Sequence, residues 1–275
     1  MATSLDAKIA AIQKKIESKK RKEKAVNINK GLPRRDIADN TVTKSNALSR
    51  AYYRFSIVEK RIMEALISRL HPMRPDNELQ HITLTAVDYA AVYNVALNHA
   101  YGDLSRAADG LMGKILITKE PPYAVKTTLM IQAKYHENNG HIVCTLNPLI
   151  APHLLGMREK FSSYPLNKAF DFKSTYTWRF YELLVSWAQP KGDTGGLFCG
   201  WFEVETDELR KMLGVPESYR YGMFKKTVLD KVTSELSQKA NIALKLEPRK
   251  TSRRITSYKV TFAENEQQQL QLGGE

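Results

Sequence analysis

The chain has only two cysteines, Cys144 and Cys199, far apart and without a partner pattern. That excludes a disulfide framework and a zinc finger, and it fits a reducing cytoplasm. No run of 18 apolar residues occurs, so no segment is built to cross a membrane as a helix. The basic N-terminus is followed by no apolar stretch or small-residue cleavage site, so no secretory signal is expected; Asp6, Glu17 and Glu23 argue against an organellar transit peptide. The phosphate-cradling GxxxxGK[ST] is absent, and in "KGDTGG" the lysine comes before the glycines, which removes a P-loop ATPase. The histidines, His71, His81, His99, His136, His141 and His153, include no His-x-His and no HExxH. A rolling-circle nickase needs a metal-binding His-hydrophobe-His beside its nucleophilic tyrosine, and that metal site is absent from the sequence. "HPMR", His71 to Arg74, has the His-x-x-Arg spacing of tyrosine recombinases, but it lies in a proline-flanked loop and no C-terminal catalytic tyrosine helix follows. The expectation is a protein without catalytic residues, metal or cofactor.

What the sequence has is positive charge, unevenly placed. The net charge is +13 over 275 residues. Residues 1–35 hold eleven Lys/Arg against three Asp/Glu, and residues 219–259 hold the same numbers, while the remainder is slightly acidic. Concentrated positive charge points to a polyanion: DNA, RNA or an acidic membrane. The bland alternative is a charge that only keeps the chain soluble.

Residues 1–41 read as a basic N-terminal arm, a frayed helix or disordered, with Ile9, Ile12 and Ile16 at helical spacing before the run "KKRKEK". From Ser56, "SIVEKRIMEALISRL" predicts a helix with Ile62, Leu66, Ile67 and Leu70 on one face and a capping box from Ser56 to Glu59. "HITLTAVDYAAVYNV" predicts a short strand and a helix capped near Thr85. "YGDLSRAADGLMGKILIT" predicts a helix leading into a strand, and "TLMIQAKYHENNGHIVCTL" a hairpin about Asn139-Gly140. The order then repeats. "STYTWRFYELLVSWA" is a helix with Ser174 as candidate cap, and "WFEVETDELRKMLGV" a strand and a helix capped near Thr206. "SYRYGMFKKTVLDKVTSEL" is the next helix, and "IALKLEPRKTSRRITSYKVTF" a hairpin. "TAVDYAAVYNV" aligns with "ETDELRKMLGV", each followed by a tyrosine before the next helix, Tyr101 and Tyr219. A helix pair joined by a short turn, with a hairpin after it, is a winged helix-turn-helix. The expected fold is α+β: two tandem winged-helix domains, residues 42–157 and 158–264, followed by a polar tail at 265–275.

Winding Phe224 to Ala240 as an α-helix separates an apolar arc, with Phe224, Val228, Leu229, Val232 and Leu236, from a polar one. The polar arc holds Lys226, Thr227, Asp230, Lys231, Thr233, Ser234, Ser237 and Gln238, mostly short or hydrogen-bonding side chains suited to a DNA groove. Lys225 falls in the middle of the apolar arc, so it is expected to snorkel outward toward a phosphate. "EPRKTSRR" gathers Arg249, Lys250, Arg253 and Arg254 at the hairpin tip, where a phosphate backbone would relieve their repulsion. Tyr219 and Arg220 add a hydroxyl for phosphate and a fork for guanine. The candidate DNA contacts are therefore Tyr219, Arg220, Lys225, Lys226, Thr227, Asp230, Lys231, Ser234, Arg249, Lys250, Arg253 and Arg254. A transcriptional repressor of the same fold and a DNA-acting enzyme remain as rival readings.

"KSNALSRAYYRFSIVEKRIMEALI", "FSSYPLNKAFDFKSTYTWRFYELL", "LRKMLGVPESYRYGMFKKTVLDKVTSEL" and "SRRITSYKVTF" resemble, in order, blocks of the iteron-binding plasmid replication initiators of the Rep_3 family. The similarity spans about residues 42–264. It implies a monomer that binds direct repeats (iterons) in double-stranded DNA at a plasmid origin, mainly through the second domain. It implies opening of an adjacent A·T-rich region and recruitment of a host initiator and replicative helicase. It also implies a dimer, joined through the first domain, that represses its own gene. The chain departs from the family pattern in its long basic arm and in Lys225 and Lys226, which stand where arginines are frequent.

Overall fold

The computed structural model describes residues 37–265, except 72, 74–80, 137–139, 158–159, 191–192 and 195. The expected arm, but for residues 37–41, and the polar tail beyond residue 265 lie outside the described residues, as does most of the "HPMR" loop. The chain opens with strand β1 (Thr41–Ser45), a short helix α1 (Asn46–Ser49) and helix α2 (Ile57–Ile67). Strand β2 (Ile82–Thr85) and helices α3 (Ala86–Tyr93) and α4 (Leu97–Met112) follow. Then come two hairpins, β3 (Ile115–Glu120) with β4 (Tyr123–Thr128), and β5 (Met130–His136) with β6 (His141–Leu146). After β7 (Phe161–Pro165) the second unit runs through α5 (Thr175–Trp187), β8 (Cys199–Glu205) and α6 (Thr206–Met212). A composite helix comes next: α7 (Tyr221–Met223), a π-helical turn (Phe224–Leu229) and α8 (Asp230–Ala240). The last hairpin is β9 (Ile242–Thr251) with β10 (Arg254–Glu264).

Both units build the same antiparallel sheet. The strand after the first helix forms one edge, the last hairpin strand the centre, and the other hairpin strand the far edge: β2-β6-β5 and β8-β10-β9. The expected doubling is therefore present, two winged helices in one α+β chain. Ser56 Oγ accepts from the Glu59 amide at 3.2 Å and Glu59 Oε2 accepts from the Ser56 amide at 2.6 Å, closing the capping box read from the sequence.

Four details differ from the sequence expectation. The β3–β4 hairpin intervenes between α4 and the first wing, because "YAVKTT" pairs with "ILITKE". Tyr101 lies inside α4, since that helix starts four residues earlier, at Leu97. Ser174 occupies the N-cap position of α5 without capping it. Glu235 of α8 instead ties down the segment entering α5, accepting from the Lys173 amide just before the N-cap at 2.6 Å and from the Thr177 hydroxyl at 2.5 Å. Thr206 is the first residue of α6, after N-cap Glu205, and its hydroxyl donates to the Ile255 carbonyl at 3.3 Å.

The two units are clasped together. β1 pairs antiparallel with β7, from Thr41 opposite Pro165 to Ser45 opposite Phe161, across the boundary expected near residue 157. Beneath that pair lies an ionic cluster with almost no solvent contact: Lys44, Lys60 and Glu64 from the first unit, Arg179 and Glu182 from α5. Glu182 Oε1 accepts from Lys44, from Lys60 at 2.7 Å and from the Tyr164 hydroxyl at 3.1 Å. Its Oε2 accepts from Arg179 at 2.6 Å and from Tyr53 at 3.3 Å. Glu64 takes Lys44 at 3.0 Å and Lys60 at 2.6 Å. Arg179 also donates to the carbonyls of Ala51, 2.7 Å, and Met212, 3.0 Å. Burial alone would raise the Glu182 pKa, but Lys44, Lys60 and Arg179 outweigh it and hold the carboxyl well below the usual glutamate range. Nearby, Arg50 stacks 3.8 Å from the Trp187 ring centre and donates to Ser186.

Candidate nucleic-acid interface

The composite helix buries Phe224, Val228, Leu229, Val232 and Leu236 and turns Lys226, Thr227, Asp230, Lys231, Ser234, Ser237 and Gln238 to solvent. The polar stripe expected from the periodicity is thus on the outside; only Thr233 is half-buried, its hydroxyl donating to the Leu229 carbonyl at 3.0 Å. Lys225 differs from its expected place within the apolar arc. The Asp230 amide bonds the Lys225 carbonyl, five residues back, so the helix is π-wound here and the phase of an α-helix does not hold. Lys225 is exposed and paired with Asp230 at 3.3 Å, with no need to snorkel.

The wing stands beside this helix. β8 pairs with β10 only from Ser257 to Ala263, so residues 249–256 project beyond the three-stranded part. Ser252 turns the tip with φ +57°. Arg249 reaches Glu203 at 2.6 Å and Arg254 reaches Asp207 at 3.3 Å, both exposed pairs of the kind worth about 0–1 kcal/mol. Such pairs exchange readily for a phosphate. Among the described residues, Arg220, Lys226, Lys231, Lys250 and Arg253 have no ion-pair partner. Helix and wing are coupled by Tyr221 and Tyr258, whose hydroxyls lie 2.9 Å apart. Burial and the Tyr221 contact push the Tyr258 phenol above its ordinary range. Arg210 fixes the turn before the helix through the carbonyls of Tyr219, 2.6 Å, and Pro216, 3.2 Å. Tyr219 is half-buried against Tyr176, whose phenol is raised by burial and by that neighbour.

The structure thus brings Lys226, Thr227, Lys231 and Ser234 onto one helical face, with Arg220 exposed at the N-cap and Arg249, Lys250, Arg253 and Arg254 on the adjoining wing. Sequence reading passed over Tyr221 and exposed Met223, which begin the composite helix. Among the described residues, the first unit has no matching basic face on the corresponding helix. Its α4 carries Asp103 and Asp109 against the single Arg106, and Arg106 is paired with Asp103 at 2.8 Å. Its wing is tied to that helix through Tyr135, which donates to Asp109 at 2.7 Å.

Residues 41–185 match the family described as Initiator Replication protein, WH1, and residues 205–262 match Initiator Rep protein, WH2. The chain belongs to the replication initiator family. A replication initiation protein of Escherichia coli is 25% identical over 221 residues, 78% of this chain and 67% of that relative. Among solved structures, the Pi initiator protein, determined in complex with iteron DNA, has a TM-score of 0.69 at 18% identity. The match covers 83% of this chain and 99% of that one. The first family match runs through β7 and nearly all of α5, the elements that β1 and the buried ionic cluster bind to the first unit. In this initiator the chain between the two matches, residues 186–204, holds most of β8.

Proposed function

We propose that this initiator binds direct-repeat iterons at a plasmid origin as a monomer, with the composite helix in the major groove and the 249–254 wing on the flanking backbone. Side-by-side placement of a short-chained polar helical face and unpaired wing cations carries the reading. Lys226, Thr227, Lys231 and Ser234 face the base edges, with Asp230 holding Lys225. Arg220, Arg249, Lys250, Arg253 and Arg254 take phosphates, and Tyr219 supports the turn. Bound copies would open an adjacent A·T-rich segment and recruit a host initiator and replicative helicase. A dimer joined through the first domain would repress the gene. The protein acts in the cytoplasm without catalysis, so supercoiled origin DNA incubated with it and Mg²⁺ should stay unnicked and free of a tyrosyl adduct.

A footprint on the DNA flanking its gene tests this. An initiator should protect a row of direct repeats about two helical turns apart beside an A·T-rich stretch. Protection of one inverted repeat alone would favour a plain repressor. Lys226→Ala should weaken the protected duplex by roughly 1–3 kcal/mol and lower discrimination against scrambled DNA. Arg253→Ala with Arg254→Ala should weaken all duplexes alike and reduce the salt slope by about two. An unchanged salt slope would remove the wing from the interface.

A further inference from the structure

The second helices of the two winged-helix units differ in core spacing by one residue, and the difference sits at the start of the polar face of the composite helix. Both second helices carry a Tyr-Gly pair, Tyr101-Gly102 and Tyr221-Gly222. Two residues further on, each buries a large side chain, Leu104 in α4, whose buried row already includes Ala100, and Phe224 in the composite helix. In α4 the row from there is Leu104, Ala107, Ala108 and Leu111, the i, i+3, i+4, i+7 spacing of an α-helix. In the composite helix it is Phe224, Val228, Leu229 and Val232, which is i, i+4, i+5, i+8. One residue has been added between the first and second core positions. The π turn absorbs it, so that Val232 and Leu236 return to the core.

That residue brings nothing to the core. Lys225, Lys226 and Thr227, the three side chains between Phe224 and Val228, are all exposed. A π turn has poorer hydrogen-bond geometry than an α turn and is uncommon outside functional sites. Its gain lies outside the molecule: three adjacent polar side chains stand where α4 has two. Asp230 holds Lys225, which leaves Lys226 and Thr227 neighbouring each other on the open side.

We propose that the π turn is the specificity device of the second domain, placing Lys226 and Thr227 together against neighbouring base edges in the major groove. An ammonium there matches the guanine O6/N7 acceptors, and a threonine offers a hydroxyl and a methyl to the adjacent base pair. This rests on the reading of the composite helix as the DNA-facing element.

Deleting Thr227 tests it without altering charge. The core row then reads Phe, Val, Leu, Val at α-helical spacing, as in α4. Two duplexes serve as probes: the segment that wild-type protein protects beside its gene, and a scrambled duplex of equal length. The deletion should leave the thermal midpoint equal or raised and scrambled-duplex affinity within about threefold, since the phosphate contacts remain. Affinity for the protected segment should fall roughly 10- to 100-fold, the worth of a good base contact. Retention of that affinity within about threefold overturns the proposal. If the deletion yields no folded protein, Thr227→Val and Lys226→Gln decide. Each should lower the protected-to-scrambled affinity ratio several-fold, and an unchanged ratio in both overturns it. Wild-type protein that prefers no duplex would instead overturn the interface itself, and the π-turn proposal with it.

Discussion

Glu182→Ala should destabilise the protein by about 3–5 kcal/mol, the range for removing one partner of a buried ion pair. The geometry places the effect at the upper end. Glu182 is fully buried and takes three cations, Lys44, Lys60 and Arg179, and two phenols, Tyr53 and Tyr164. Without it Glu64 alone faces the three cations, and their near-complete burial leaves the excess charge poorly solvated. Urea unfolding read by tryptophan fluorescence measures the loss, because Trp178 donates its indole N–H to Tyr164 at 3.1 Å beside the cluster. A loss below about 1 kcal/mol would mean that the cluster opens to solvent and does not clasp the units. The pH dependence has a definite sign. Glu182 has a depressed folded pKa, so its stabilisation is fully present above the unfolded value, about 4.3. It disappears as the pH falls through the lower folded value. Acid should therefore destabilise the wild type more steeply than Glu182→Gln. The variant should also bind long origin duplexes less tightly, because two units no longer held by one cluster lose the effective concentration of a rigid pair.

That cluster marks the limit of what was legible. The winged helices could be read because their cores obey simple periods. Ile62, Leu66 and Ile67 on α2 and Tyr258, Val260 and Phe262 on β10 are buried as their spacing dictates. The basic wing was legible because Arg249 to Arg254 has no apolar partner in the sequence and must lie outside. Lys44, Lys60, Arg179 and Glu182 were not. A charged residue reads as surface unless its partner is known, and the partners here lie up to 138 residues away in sequence. The same holds for β1, which pairs with a strand more than a hundred residues away. The π turn was missed for a different reason. A fixed 100° per residue put Lys225 in the core, and only the i→i−5 bond from Asp230 shows where the helix changes pitch.

Gly214→Ala should cost roughly 2–5 kcal/mol, and its cause can be divided. α6 ends in a Schellman motif: the Gly214 amide bonds the Lys211 carbonyl at 3.0 Å and the Val215 amide bonds the Arg210 carbonyl at 2.9 Å. Gly214 has φ +68°, a left-handed conformation costing about 1–2 kcal/mol for most residues. A Cβ there would also sit 2.6 Å from the Tyr53 carbonyl oxygen and 3.3 Å from Arg54 Cα, backbone atoms that cannot swing aside. Overpacking of this kind adds roughly 1–3 kcal/mol. The first unit supplies a natural comparison, because Asn94 ends α3 with φ +49° and, like Gly214, precedes a valine. Asparagine tolerates the left-handed region, so Gly214→Asn relieves most of the strain but keeps the Cβ contact. If the close approach to Tyr53 dominates, Gly214→Asn should be nearly as destabilising as Gly214→Ala. Recovery to within about 0.5 kcal/mol of wild type would assign the effect to φ alone. The distinction bears on DNA binding, since Gly214 lies where the helix-turn-helix of the second unit meets the 50–55 segment of the first. A side chain that wedges them apart should reduce affinity for the protected duplex even in the fraction that remains folded.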